Sequence, residues 1–300
     1  MTAAALVAAA VAGIVLPHLL RLDRADPATA VVLWSAAVGL RALVVVGTVA
    51  GALVLLHPAE LLRAFAEWPC APHHHVAGHA VAAAGGVALS LSFVWALARV
   101  VQATLAVRRL VRRPLGRGPE GSVIVGGDDV VLAVAGLTRP TLVVSAGALT
   151  RLDDAELSAA LAHERAHIRR LHRYVVLFAE LCRVLGRPLP GTAHAVRELR
   201  FQIERDADRS AVRHRADRLA LASAICKAAA VTAPRPGMAA LGGDGTAARV
   251  RELLQDFVPD AHPVRLRALA TGAAALAVGA ALSLPMTVSG LGDPVALCGP

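Results

Sequence analysis

His163-Glu164-Arg165-Ala166-His167 is the one stretch of this chain in which residue types and spacing specify a chemistry. Histidines at i and i+4 share one face of a helix, so both imidazoles can reach a single metal ion, most often zinc. Glu164 stands beside the first histidine, where a carboxylate can take a proton from a water activated by the metal. With 12 His and 9 Glu among 300 residues, such a string is expected by accident only about 0.01 times per chain. The bland alternative is a polar helix face that carries two unrelated histidines.

The flanking residues favour the chemical reading. Asp153-Asp154-Ala155-Glu156 fits an N-cap with Glu three residues on, the capping-box pattern. Leu157, Ala160, Leu161, Glu164, Ile168 and Leu171 then recur at helical spacing, and no Gly or Pro interrupts before Gly186. The motif is therefore expected inside a helix of four or more turns. A catalytic zinc usually keeps three protein ligands and a water. Downstream, Glu204 and Asp208 are also i and i+4. Glu204 can ligate the metal, and Asp208 can hold a ligating histidine by its second ring nitrogen. Taken alone, the same residues read as a charged helix surface whose Arg205 and Arg209 pair with neighbouring acids. Behind the His-Glu-x-x-His string, ligation is the preferred reading.

The rest of the chain reads as membrane protein. It is 56% hydrophobic, with a mean hydropathy of +0.58. Four apolar stretches, 3–20, 30–56, 79–106 and 268–290, approach or exceed the length of a bilayer crossing. The first lacks a basic n-region and is read as a retained span rather than a signal peptide. Of 31 Lys and Arg, 26 fall in residues 108–267, beginning with Arg108, Arg109, Arg112, Arg113 and Arg117 just after the third stretch. The positive-inside rule makes that end cytoplasmic and puts both termini outside. The expected organisation is three spans in 1–107, a cytoplasmic zinc metalloprotease domain in 108–267, a fourth span at 268–290 and a short outer tail at 291–300. Arg41 interrupts the second stretch and reads best as a boundary effect, with the true span starting near residue 39.

The basic excess excludes little by itself. Residues 108–267 hold 26 basic and 17 acidic residues, but the arginines alternate with acids along helices and few aromatics accompany them. No direct nucleic-acid binding is expected, and attraction to the anionic lipid bilayer explains the charge. Cys182 and Cys226 fall in the cytoplasmic part and are expected reduced. Cys70 and Cys298 both fall outside and could pair. No Cys-x-x-Cys spacing suggests a thiolate metal site. His73, His74, His75 and His79 read as a flexible polar loop, with metal binding as the alternative. Val123–Val125, Val130–Ala135 and Leu142–Ser145 read as short strands, with Gly126–Asp129 as a turn. An exposed strand edge beside the zinc helix could take an extended substrate by strand addition. The expected fold class is mainly α: four transmembrane helices plus a cytoplasmic α+β zinc-metallopeptidase domain with a small β-sheet.

This order of spans, strands, His-Glu-x-x-His helix, Glu-x-x-x-Asp helix and final span resembles the BlaR/MecR family of membrane-integrated zinc metallopeptidases. The matching stretch runs from Gly136-Leu137-Thr138-Arg139-Pro140 to Arg209. The resemblance implies one Zn2+ held by His163, His167 and Glu204, with Glu164 as catalytic base and Asp208 as the acid after the third ligand. It implies a protein substrate such as a partnered DNA-binding repressor, the protease itself, or both. Antibiotic-sensing members carry a large extracellular penicillin-binding domain after the last span, and a short member without that sensor is expected here. The HtpX/Ste24-type quality-control peptidases share the ligand pattern. They typically place spans between motif and third ligand, whereas the apolar run 174–186 is too short to cross. A non-catalytic receptor with a structural metal site is a third reading, which the presence of Glu164 argues against. Tyr174, His172 and His194 are candidate transition-state stabilisers. Oligomeric state is not legible.

Overall fold

A computed structural model of the chain describes residues 26–55, 73–111, 114–213, 216–231 and 245–255, together with residues 11, 14, 15, 17 and 18. Cys70, Cys298 and the expected span at 268–290 lie outside the described residues, as does most of the expected span at 3–20.

The two apolar stretches that are described form long helices, α1 (Pro27–Leu55) and α2 (His73–Val111). Within them, Pro27–Ala50 and Ala84–Gln102 are long and apolar enough to cross a membrane. They differ in what surrounds them. The first half of α1 is packed against protein, with Ala30, Trp34, Ala37, Val38, Leu40 and Arg41 all buried. From Leu43 to Ala50 only Val45 is buried, and from Ala84 to Gln102 of α2 only Ala96 is. Arg41 sits where α1 changes from one environment to the other. His73, His74, His75 and His79 lie in the first turns of α2 rather than in a loop. The Ala- and Val-rich sequence that follows them favours extending the helix back through them, because propagation costs far less than nucleation.

A four-stranded sheet follows, from β1 (Gly116–Arg117), β2 (Val123–Val125), β3 (Leu132–Ala135) and β4 (Thr141–Ser145). The order is β1-β2-β4-β3. β2 runs parallel to β4, and the two outer pairings are antiparallel. The three strands read from the sequence are present, although β3 starts at Leu132 and not at Val130. β1 has no apolar alternation of its own. It becomes a strand only through pairing of Gly116 with Ile124 and Arg117 with Val123.

The remaining helices are α3 (Ala146–Arg151), α4 (Asp154–Arg169), α5 (His172–Leu185), α6 (Thr192–Arg213), α7 (Arg218–Val231) and α8 (Thr246–Leu254). Two apolar cores hold them. One joins the sheet to α4, α7 and α8 through Leu132, Val144, Leu161, Leu221, Ile225 and Leu253. The other joins α1, α5 and α6 through Trp34, Val38, Ala179, Leu199 and Ile203. α6 contributes to both, with Ala211 in the first and Leu199 and Ile203 in the second. Glu204 thus lies on the helix that spans the boundary between the cores. Arg209 of α6 donates to Asp26 at the start of α1 over 2.7 Å, which fixes α6 to α1 as well.

Candidate metal centre

α4 starts on the capping box expected from its sequence. Glu156 N donates to Asp153 Oδ1 over 2.8 Å, and Asp153 N donates to Glu156 Oε2 over 2.9 Å. Glu156 is buried and also accepts from Ser223 and Lys227 of α7, both at 2.6 Å. The first turn of α4 is therefore anchored to α7. Ala159, Ala160 and Leu161 bury the next turn, and His163, Glu164 and His167 follow.

These residues meet α6 as the spacing requires. His163 Nε2 and His167 Nε2 are 3.1 Å apart. Glu204 Oε2 lies 3.5 Å from the first and Glu204 Oε1 3.7 Å from the second. The three donors lie within 4.8 Å of one another. Zinc bonds of about 2.0 Å in a tetrahedron set donor separations of about 3.3 Å. The arrangement fits one such ion, and two imidazoles with a carboxylate are a catalytic rather than a closed structural donor set. His163 is buried, while the His167 and Glu204 side chains keep 18% and 26% of their exposure. The centre is thus open on the side where a water and a substrate would approach.

Each imidazole turns its other nitrogen towards a separate polar chain. His163 Nδ1 lies 2.8 Å from Asp208 Oδ1. Asp208 in turn accepts from Arg249 Nε and Nη2, both at 2.8 Å, and Arg249 Nη1 reaches Glu204 Oε2 at 3.0 Å. His167 Nδ1 lies 3.0 Å from His172 Nδ1. His172 Nε2 lies 3.1 Å from Asp206 Oδ2, and Asp206 also pairs with Arg170 at 3.3 Å. Such outer contacts fix the tautomer and ring orientation of metal-binding histidines.

The second chain depends on a break that the sequence hides. α4 does not continue through Leu171, which adopts the left-handed conformation at φ 58°, ψ 26°. In an unbroken helix, residues 167 and 172 would stand about 140° apart around the axis. The break brings them together. A bulky residue in this region costs about 1–2 kcal/mol, and Leu171 is half exposed.

The surroundings push the site's groups in different directions. Burial works against a charge on His163, but Asp208 and Glu204 outweigh it and hold its pKa up at about 10. Burial drives His167 down to about 3, helped by the charges of His163 and His172. Glu164 is pushed up to about 7, chiefly by burial and also by the Glu204 charge, against His163 and Arg249. Burial also opposes ionisation of Glu204, yet His163, His167 and Arg249 hold it well below the ordinary carboxylate range.

Of the other residues singled out in the sequence, His172 stands behind His167, held by two polar contacts, and not over the open side. His194 stacks on His18 with centroids 5.3 Å apart, beside Trp34. Tyr174 is 40% exposed beneath the Arg173 guanidinium at 4.6 Å. Arg205 and Arg209 pair with acids from distant segments, Glu252 and Asp26. Sequence reasoning missed Arg249, Asp206 and Arg170. Arg249 did leave a trace: it falls four residues before Leu253 on the apolar face of α8, an unusual place for an unpaired cation. Cys182 and Cys226 are both free.

Comparison with known proteins bears on the same segment. Residues 131–247 match the family model described as BlaR1 peptidase M56. No curated protein matches the chain, and no solved structure does. The matched residues contain His163, His167 and Glu204, with Asp206 and Asp208, and stop two residues short of Arg249. Residues 131–247 are thus similar to the BlaR1-type peptidase family, within a mainly helical protein that has a small sheet and two candidate membrane helices among the described residues.

Proposed function

We propose that the protein is an integral membrane zinc metalloendopeptidase that cleaves a protein substrate at the cytoplasmic face, in regulatory signalling through cleavage of a repressor, of itself, or of both. One observation carries the reading: His163 Nε2, His167 Nε2 and a Glu204 oxygen converge within 4.8 Å beside a buried Glu164, whose pKa burial pushes up to about 7. A purely structural site would need the ligands but no such base.

In this reading His163, His167 and Glu204 hold one zinc ion, which when bound acidifies water and polarises the scissile carbonyl. Glu164 takes a proton from the attacking water and passes it to the leaving amine, and a carboxyl held near neutrality suits both transfers. Asp208 and the His172–Asp206 pair hold the two imidazoles in the tautomers that leave both Nε2 atoms facing the centre. β3 is an edge strand of the sheet packed on α4. Its outer edge offers backbone groups to an extended substrate. The 14 residues of α5 span about 21 Å, short of the roughly 30 Å bilayer core. That favours the signalling type over the quality-control type, in which spans intervene.

Glu164→Gln tests the reading. The variant is expected to keep stoichiometric zinc while losing cleavage of a protein substrate, or of the chain itself, by at least a hundredfold. Zinc-replete protein that still processed substrate at the original rate would refute a peptidase centred on Glu164.

A further inference from the structure

Two clefts meet at the corner between α5 and α6, and neither is part of the metal centre. One, of about 650 Å³, opens between the exposed half of α1 and α2, with Val45, Val49, Gly85 and Leu89 in its walls. The other, of about 690 Å³, lies between α2 and the corner, with Trp95, Arg183, Arg187 and Gly191. Both have the size of ligand clefts. They share Ser92, Val184, Arg187 and Leu189, so they form one groove that is apolar at one end and basic at the other.

Among the described residues, the charge at the basic end is not fully matched by acids. Arg187 is exposed and has no carboxylate partner among the described residues. Arg183 shares Glu180 with Arg200. Arg41 is 2% exposed, and among the described residues its hydrogen-bond partners are the carbonyls of Ala37 and Ile14, and His18 Nε2 at 2.8 Å. Its Nε has no partner. A buried cation without a counter-ion is costly. Arg41 lies directly behind the groove, since a Cβ on Gly191 would come within 3.6 Å of its Nη2. This is also the level at which α1 leaves the protein core and both helices present apolar surface outward. A ligand that complements the groove has an anionic head and a hydrocarbon tail.

We propose that this groove binds one anionic phospholipid, with its phosphate at Arg187 and Arg183 in front of Arg41 and an acyl chain between α1 and α2. The occupant supplies a negative charge that the described residues do not provide at Arg41 and Arg187. Its acyl chain fills the cleft lined by Val45, Val49, Gly85 and Leu89. Headgroup charge sets the specificity, and the Gly85 gap sets the room for the chain.

The test uses the full chain in detergent, with Trp34→Phe and Trp68→Phe leaving Trp95 as the reporter. Phosphatidylglycerol brominated on its acyl chains should quench Trp95 saturably, at concentrations at least tenfold below those needed with brominated phosphatidylcholine. Arg187→Gln should abolish that preference, and Gly85→Leu should weaken quenching by either lipid. Equal quenching by the two lipids would overturn the proposal, as would a preference that survives Arg187→Gln. A brominated fatty acid that bound as tightly as phosphatidylglycerol would overturn the phospholipid assignment. None of these readouts depends on zinc or peptidase activity.

Discussion

His163 and His167 lie one turn apart on the same helix, yet the protein backs them in opposite ways. Behind His163 stands a charged chain, Asp208 with Arg249, drawn from α6 and α8. Behind His167 stands a second imidazole, His172, reached through a strained turn and supported by Asp206. The consequence is opposite leanings in the metal-free protein, with His163 held up near 10 and His167 pushed down near 3. One ligand is stabilised as a cation and the other as a neutral base. Identical residue types on one helix face thus acquire different properties from their tertiary partners, not from their spacing.

Breaking the charged side should have the largest effect. Asp208→Ala leaves Arg249 and His163 without their shared carboxylate. It is expected to cost about 3–5 kcal/mol of stability and to weaken zinc binding about 10–100-fold. Denaturant titration and competition with a chromogenic chelator measure the two effects. Asp208→Asn keeps the shape and removes only the charge. Because His163 is raised above its ordinary value, its contribution to the metal-free fold is full below about pH 6.5 and is lost as pH rises through about 10. The metal-free wild type should therefore lose stability over that interval, and Asp208→Asn should lose much less. Unchanged pH profiles would show that Asp208 does not set the His163 charge.

The His172 side should be softer. His172→Ala removes one contact of His167 without stranding a buried cation, so zinc binding should weaken about tenfold and stability should fall by only about 1–2 kcal/mol. If His172→Ala cost as much zinc affinity as Asp208→Ala, the contrast between the two sides would fail. Glu156→Gln probes the anchor that both sides share. Burial opposes the Glu156 charge, but Lys227, Ser223 and the Asp153 backbone keep its pKa below the ordinary value. Its contribution is therefore full above about pH 4.5 and is lost as pH falls below that. The variant should be about 1 kcal/mol less stable at pH 7, and the difference should shrink in acid. The smallest effect is expected at the turn itself. Leu171→Gly relieves the left-handed strain and should stabilise the fold by about 0.5–1 kcal/mol after the added chain entropy. A loss of stability would mean that the half-exposed leucine contributes more by packing than its backbone costs.

The sequence was most legible where function rests on local spacing. His163, Glu164 and His167 share a face because of helical periodicity, and the Asp153–Glu156 capping box marks where that helix begins. Glu204 and Asp208 follow the same rule on α6. Three strands and two long apolar helices could be read because alternation and hydropathy are local patterns. The break at Leu171 could not, since no Gly or Pro marks it and the surrounding periodicity runs on. Its conformation is selected by what it allows His172 and Asp206 to reach.

The sequence by itself placed the candidate donors and the candidate base, because those depend on residues within a turn or two of one another. Only the tertiary structure decided what stands behind each donor. Arg249 is 41 residues from Asp208 and Asp206 is 34 from His172, distances at which no local pattern constrains pairing. The same holds for α1, whose Arg41 has no polar neighbour in sequence and becomes intelligible only beside the α5–α6 corner. Short-range geometry follows from the backbone's repeat. Charge matching follows from which helices the apolar cores bring together.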